Sequence, residues 1–148
     1  GAEHAAMLKN IYAIAAGIAH GLGYGDNFQS ILMSNAIREI KRFIKKKHKI
    51  KMNINNSAYL GDLLVTGYSV FSRNRMFGSM IGKGYTVKSA QMEMKMIAEG
   101  YISTKKAMQL NSENIKKAKT PIIEAVHAIL YEKKNPKNTF KKLNEKLN

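Results

Sequence analysis

Between Ala5 and Asn27 the chain reads AAMLKNIYAIAAGIAHGLGYGDN, and this stretch constrains the fold more than any other. Ile11, Ile14, Ala15, Ile18 and Leu22 recur with the period of a buried helical stripe. The other faces carry mostly Ala and Gly (Ala5, Ala6, Ala13, Ala16, Gly17), so neighbouring backbones can approach closely all round. Lys9 and Asn10 interrupt this small-residue surface. A lysine among alanines either snorkels to water, the commoner fate, or is held in a cleft where its amine does chemistry.

With 148 residues the chain is long enough for one domain, residues 1–148, with a real core. Two prolines, little β-branched alternation and an abundance of Ala, Leu, Met, Lys and Glu predict an all-α, multi-helix domain. The absence of cysteine excludes disulfides, Cys-ligated zinc and thiol catalysis, and fits a reducing cytoplasm. The formal net charge of +15, from 25 Lys and Arg against 10 Asp and Glu, suits anionic partners. A chain rich at once in Lys, Ile and Asn also acquires such a charge from nucleotide bias, as a merely solvated basic face. The apolar run from Ile11 to Ala19 falls far short of the roughly 20 residues a membrane span needs. It imitates a signal peptide after Met7, but residues precede Met7 and Gly17 breaks the run.

Gly21, Gly23 and Gly25 form a turn that can pass close to another backbone or a ligand, and Asp26 or Asn27 suits the cap of a second helix to Lys47. Its predicted stripe is Phe28, Ile31, Leu32, Ala36, Ile40, Phe43 and Ile44, with Arg38, Lys41, Arg42 and Lys45 facing outward. The run from Lys45 to Lys49 is a solvated helix end or a nucleic-acid contact. Ser57 can cap a short helix on which Asp62 and Thr66 share a side. Asp62 lies in an apolar run and needs a partner if buried, for which Lys9 is the candidate; otherwise it is an exposed helix-start residue.

Ser72 or Asn74 is expected to cap the next helix, which runs to Gly82. Its free first-turn amides, flanked by Arg73 and Arg75, would then make a phosphate site, the alternative being a capped surface helix with solvated arginines. Thr86 is expected to cap a helix from Val87 to about Met94, and Lys95 to Gly100 reads as irregular before helix resumes over Ser103 to Leu110. Pro121 suits a first turn, with Ile122, Ile123, Val126, Ile129 and Leu130 as stripe, and Asn135-Pro136 starts a basic last helix to Leu147. His4, His20, His48 and His127 lack metal-ligand spacing, and no Ser-His-Asp order, carboxylate pair or P-loop stands out, so no metal is expected.

Leu8-Lys9-Asn10, Gly21-Leu-Gly-Tyr-Gly-Asp-Asn27, Leu60-Gly-Asp-Leu-Leu-Val-Thr66, Ser72-Arg-Asn-Arg75 and Ala98-Glu-Gly100 occur in one order. In that order and spacing they closely resemble the C-terminal domain of bacterial-type NAD(P)-dependent sn-glycerol-3-phosphate dehydrogenases. The likeness covers essentially the whole chain, including Pro121-Ile-Ile-Glu-Ala-Val126. It departs from the family at Ala5-Ala6, where Gly-Gly is frequent, and at Thr66-Gly67-Tyr68, where a Thr-Cys-Thr-like run is frequent.

The resemblance implies a helical domain of the 6-phosphogluconate-dehydrogenase C-terminal type, whose N-terminal Rossmann partner domain is missing here. The chain is then an excised domain or one part of a split enzyme, and no turnover is expected from it alone. Lys9 would be the general acid/base, giving a proton to the C2 oxygen of dihydroxyacetone phosphate or taking it from sn-glycerol 3-phosphate. Asp62 would be the carboxylate beside it, with Asn10 and Thr66 as supporting polar residues. Ser72, Arg73 and Asn74 would bind the substrate phosphate, with Arg73 also near the cofactor. Ile97 and Glu99 would touch NAD or NADP, bound mainly by the missing domain. The product would feed glycerophospholipid synthesis in the cytoplasm, and a homodimer is among the assemblies left open. Two other readings stand beside this one. The first is a basic helical nucleic-acid-binding module, which gives no reason for the placement of Gly-Asp and Ser-Arg-Asn-Arg. The second is the helical domain of another reductase of the superfamily.

Overall fold

The computed structural model describes residues 2–48, 68–114 and 117–148. Over these residues the chain is helical throughout, with α1 (Ala2–Gly21), α2 (Asp26–His48), α3 (Tyr68–Gly82), α4 (Val87–Met94), α5 (Glu99–Ser112), α6 (Pro121–Tyr131) and α7 (Pro136–Lys146), and no strand among them. The all-α expectation holds. The short helix expected at Ser57 to Thr66, with Asp62 on it, lies outside the described residues.

Helix α1 is the axis of the bundle. Leu8, Ile11, Ala13, Ile14, Ala15, Ile18 and Ala19 are all fully buried, because a helix that is apolar on every side satisfies itself only when other helices surround it. It packs on α2, α3, α5 and α6. Its contact with α3 is backbone against backbone. A Cβ on Gly17 would lie 2.0 Å from the Arg75 carbonyl oxygen, one on Gly78 2.1 Å from that of Ile14, and one on Gly82 2.4 Å from that of Ile18. Glycines four residues apart on both helices therefore interlock, and any side chain there would push the pair apart.

The turn after α1 reverses through Gly23 at φ +92°, and α2 begins at Asp26, with the Gln29 amide donating to the Gly25 carbonyl at 3.1 Å. Phe28, Leu32, Ala36, Ile40, Phe43 and Ile44 bury the expected stripe, but Ile31 is 37 % exposed and does not belong to it. Arg42 is half-buried rather than outward, its Nε donating to the Lys119 carbonyl at 2.9 Å. Phe28 packs near Phe140 of α7, at 6.3 Å between ring centroids, and Tyr24 at 4.3 Å from Phe28 closes that side.

Two helices begin on their own sequence-local caps. Thr86 and Ser89 form a reciprocal capping box at α4, and Asn135 accepts from the Asn138 amide at 3.0 Å while Pro136 occupies the first position of α7. Two others do not. Helix α5 starts at Glu99, four residues before the expected Ser103, and its Ala98 cap makes no side-chain hydrogen bond. Helix α6 starts at Pro121 as expected, but Thr120 supplies no side-chain cap either. Their first-turn amides are satisfied by side chains from α3 and α2.

Candidate active site

On α1, Asn10 is buried and Lys9 beside it is half-buried, in the most tightly enclosed of the described helices. Over this end of α1 lies the start of α5. A Cβ on Gly100 would meet the Asn10 carbonyl oxygen at 2.7 Å, Ile14 Cδ1 at 2.6 Å and Asn74 Oδ1 at 2.7 Å, so α1, α3 and α5 converge at a point where only glycine fits. Asn74 of α3 ties the point together. Its Oδ1 accepts from the Gly100 amide at 2.8 Å and its Nδ2 donates to the Val70 carbonyl at 2.9 Å. An amide side chain has two N–H groups, so among the described residues one Asn74 N–H remains for a further acceptor.

The expectation that Ser72 or Asn74 caps a helix, exposing free amides to a phosphate, is not met. Helix α3 starts at Tyr68, so both residues lie inside it and the first-turn amides belong to Tyr68–Phe71. The physical reason is tertiary. Asn74 and Phe77 are buried, and α3 must already be helical at Asn74 for that side chain to reach both Val70 and Gly100. Arg75 is exposed, while Ser72 and Arg73 are half-buried on the turn that carries Asn74. What anion contact this segment offers must come from side chains, not from a helix N-terminus.

The structure thus brings Lys9–Asn10, Asn74 and the Glu99–Gly100 helix start into one region, with Ser72 and Arg73 on the same turn of α3 as Asn74. Asp62 and Thr66 lie outside the described residues. Ile97 is 55 % exposed and Glu99 is exposed at the lip of α5. Ile97 offers an open apolar side chain, Glu99 a carboxylate that can accept from hydroxyls and Arg73 a cation, the chemistry that one edge of a dinucleotide would need. Among the described residues no three His, Asp or Glu side chains gather as metal ligands, and no helix is long and apolar enough to cross a membrane.

Sequence reading missed Gly100 as a packing point, although its place in the Ala98-Glu-Gly100 motif marked it. It also missed Glu39, which is fully buried on α2. The signal was present, because Glu39 occupies a stripe position three after Ala36 and four before Phe43. Burial pushes its carboxyl up to about 8, against the opposing pull of the Ile123 and Ile122 amides, Tyr12 and Arg42.

Residues 1–141 match the family described as the NAD-dependent glycerol-3-phosphate dehydrogenase C-terminus. The chain belongs to this family. It is 42 % identical over 131 residues to a glycerol-3-phosphate dehydrogenase [NAD(P)+] of Bacillus subtilis (strain 168), covering 88 % of this chain and 37 % of that protein. An Agathobacter rectalis protein of the same name is 40 % identical over 143 residues, 97 % of this chain and 42 % of the relative. The fold superimposes on the crystal structure of glycerol-3-phosphate dehydrogenase from Coxiella burnetii with a TM-score of 0.84 at 32 % identity, covering 97 % of this chain and 43 % of that one. The chain therefore spans about two fifths of the length of the glycerol-3-phosphate dehydrogenases it matches. Among the described residues, the helical fold is that of the family's C-terminal domain.

Proposed function

We propose that this chain is the substrate-binding and catalytic half of an oxidoreductase that interconverts dihydroxyacetone phosphate and sn-glycerol 3-phosphate, with NAD or NADP as the hydride carrier. The observation that supports it best is the family match over residues 1–141, with Lys9–Asn10 set against the Asn74–Gly100 junction. When bound, the nicotinamide cofactor supplies or accepts a hydride at C2 of the substrate. This chain's part is to move the proton and hold the substrate. A carbonyl that receives hydride becomes an alkoxide, so a cationic proton donor beside it lowers the barrier. Lys9 has that role, with Asp62 as the carboxylate that orients it and Asn10 and Thr66 as polar supports. Ser72, Arg73 and the remaining Asn74 N–H hold the phosphate, fixing the reacting carbon through a group remote from it. Arg73, Ile97 and Glu99 contact the dinucleotide, whose main site is in an N-terminal Rossmann domain.

In the two-domain enzyme, Lys9→Ala should lower kcat by the ~10²–10⁴-fold typical of a lost general acid/base. Near-normal turnover would remove Lys9 from that role. A cytoplasmic enzyme without a specific nucleic-acid partner, and a homodimer, complete this reading; sedimentation of the two-domain protein measures the last.

A further inference from the structure

A second polar cluster lies where α1, α2 and α6 meet, and the dehydrogenase reading makes no use of it. Glu39 of α2 is fully buried, and its Oε1 accepts from the amides of Ile122 at 2.9 Å and Ile123 at 3.3 Å. Those amides are orphan donors of the first turn of α6, which Thr120 leaves uncapped. The cap therefore comes from 83 residues earlier in the chain. Among the described residues the groups around the carboxyl are few. From α1 the buried Tyr12 hydroxyl faces it just outside hydrogen-bond geometry and, like Arg42, favours its ionised form. On α2 itself Arg42 stands one turn further on, with its Nε engaged by the Lys119 carbonyl. Ahead of α6 the buried Thr120 hydroxyl is uncharged, and Glu124 of the first turn points to solvent.

We propose that Glu39 ties α2 to the start of α6 as a buried neutral acid, so that the fold loses stability when rising pH forces this carboxyl to ionise. A neutral carboxyl needs only its carbonyl oxygen to accept from both amides, and its proton sits on the otherwise unbonded Oε2. The ionised form keeps those two bonds but places a net charge among Ala36, Ile40, Phe43, Ile122 and Ile123, where water cannot solvate it. Burial raises the carboxyl to about 8, so at neutral pH the acid form prevails. The sign of the pH effect follows. Between the ordinary carboxylate range and about 8, the folded chain retains a proton that the unfolded chain has released. Stability must fall as pH rises across that window and level off above it.

The test is equilibrium unfolding of this chain and of Glu39→Gln from about pH 5 to about pH 9. Gln keeps an acceptor for the two amides and cannot ionise. The unfolding constant of the wild-type chain, relative to the Gln variant, should rise about tenfold per pH unit inside the window. Parallel pH profiles would overturn the proposal. Should the variant not fold, the carboxyl carbon of Glu39 can be followed by NMR in the wild-type chain. A midpoint near 8 supports the proposal. A midpoint in the ordinary carboxylate range overturns it.

Discussion

Asn74 does more for the candidate site than any other single described side chain, because its amide joins two elements that sequence spacing does not relate. Replacing it with Ala leaves the buried Gly100 amide without its acceptor, which costs about 1–3 kcal/mol. Chemical denaturation of this chain checks that figure; an unchanged midpoint would mean the junction holds without it. Arg73 is expected to act differently. In the two-domain enzyme Arg73→Lys should raise KM for the phosphorylated substrate with little change in fold, since lysine keeps the charge and loses the guanidinium fork. An unchanged KM would move the phosphate site elsewhere. Both residues were legible as polar and close to a phosphate-binding pattern. Their true setting, inside a helix and not at its start, was not legible, because a Ser-Arg-Asn-Arg run looks the same in either place until Phe77 and Gly100 are seen to pack on it.

At the level of elements, the α1–α3 contact sets the distance between Lys9 and the α3 turn that carries Arg73 and Asn74. Gly78→Ala places a methyl 2.1 Å from a main-chain oxygen, which cannot swing aside as a side chain would. It should destabilise by about 3 kcal/mol or more, the upper range for overpacking. Gly25→Ser is the contrast. Nothing lies within 4 Å of a Cβ there, and a hydroxyl would arrive where α2 begins, so a neutral or slightly stabilising effect is expected. Thermal unfolding of the two variants side by side measures the difference, and similar losses would refute the close contact. The caps divide along the same line. Thr86 and Asn135 were readable because each bonds an amide three residues on. The caps of α5 and α6 come from Asn74, 26 residues away, and Glu39, 83 away, beyond any local pattern.

Over the whole molecule, a net charge of +15 sets the background for any anion. Titration of this chain with glycerol 3-phosphate, against sulfate at matched ionic strength, separates a site from a field. NMR shifts specific to glycerol 3-phosphate are expected at Lys9, Asn10 and Ser72–Asn74. Equal responses spread over the lysines would mean that only charge is being read. The same charge repels itself across the fold, so added salt should raise the melting temperature while leaving the effect of Glu39→Gln almost unchanged, since a buried group is screened far less.

The sequence by itself determined the helical class, the central position of a helix apolar on all sides, the self-capped starts of α4 and α7, and the family. These depend on composition, period and neighbours a few residues apart. Only the tertiary structure decided where α3 and α5 begin, why Gly100 must be glycine, and that Glu39 serves a helix from another part of the chain. Each of those turns on a buried polar or backbone group that must find its partner wherever packing brings one, and sequence distance carries no record of that.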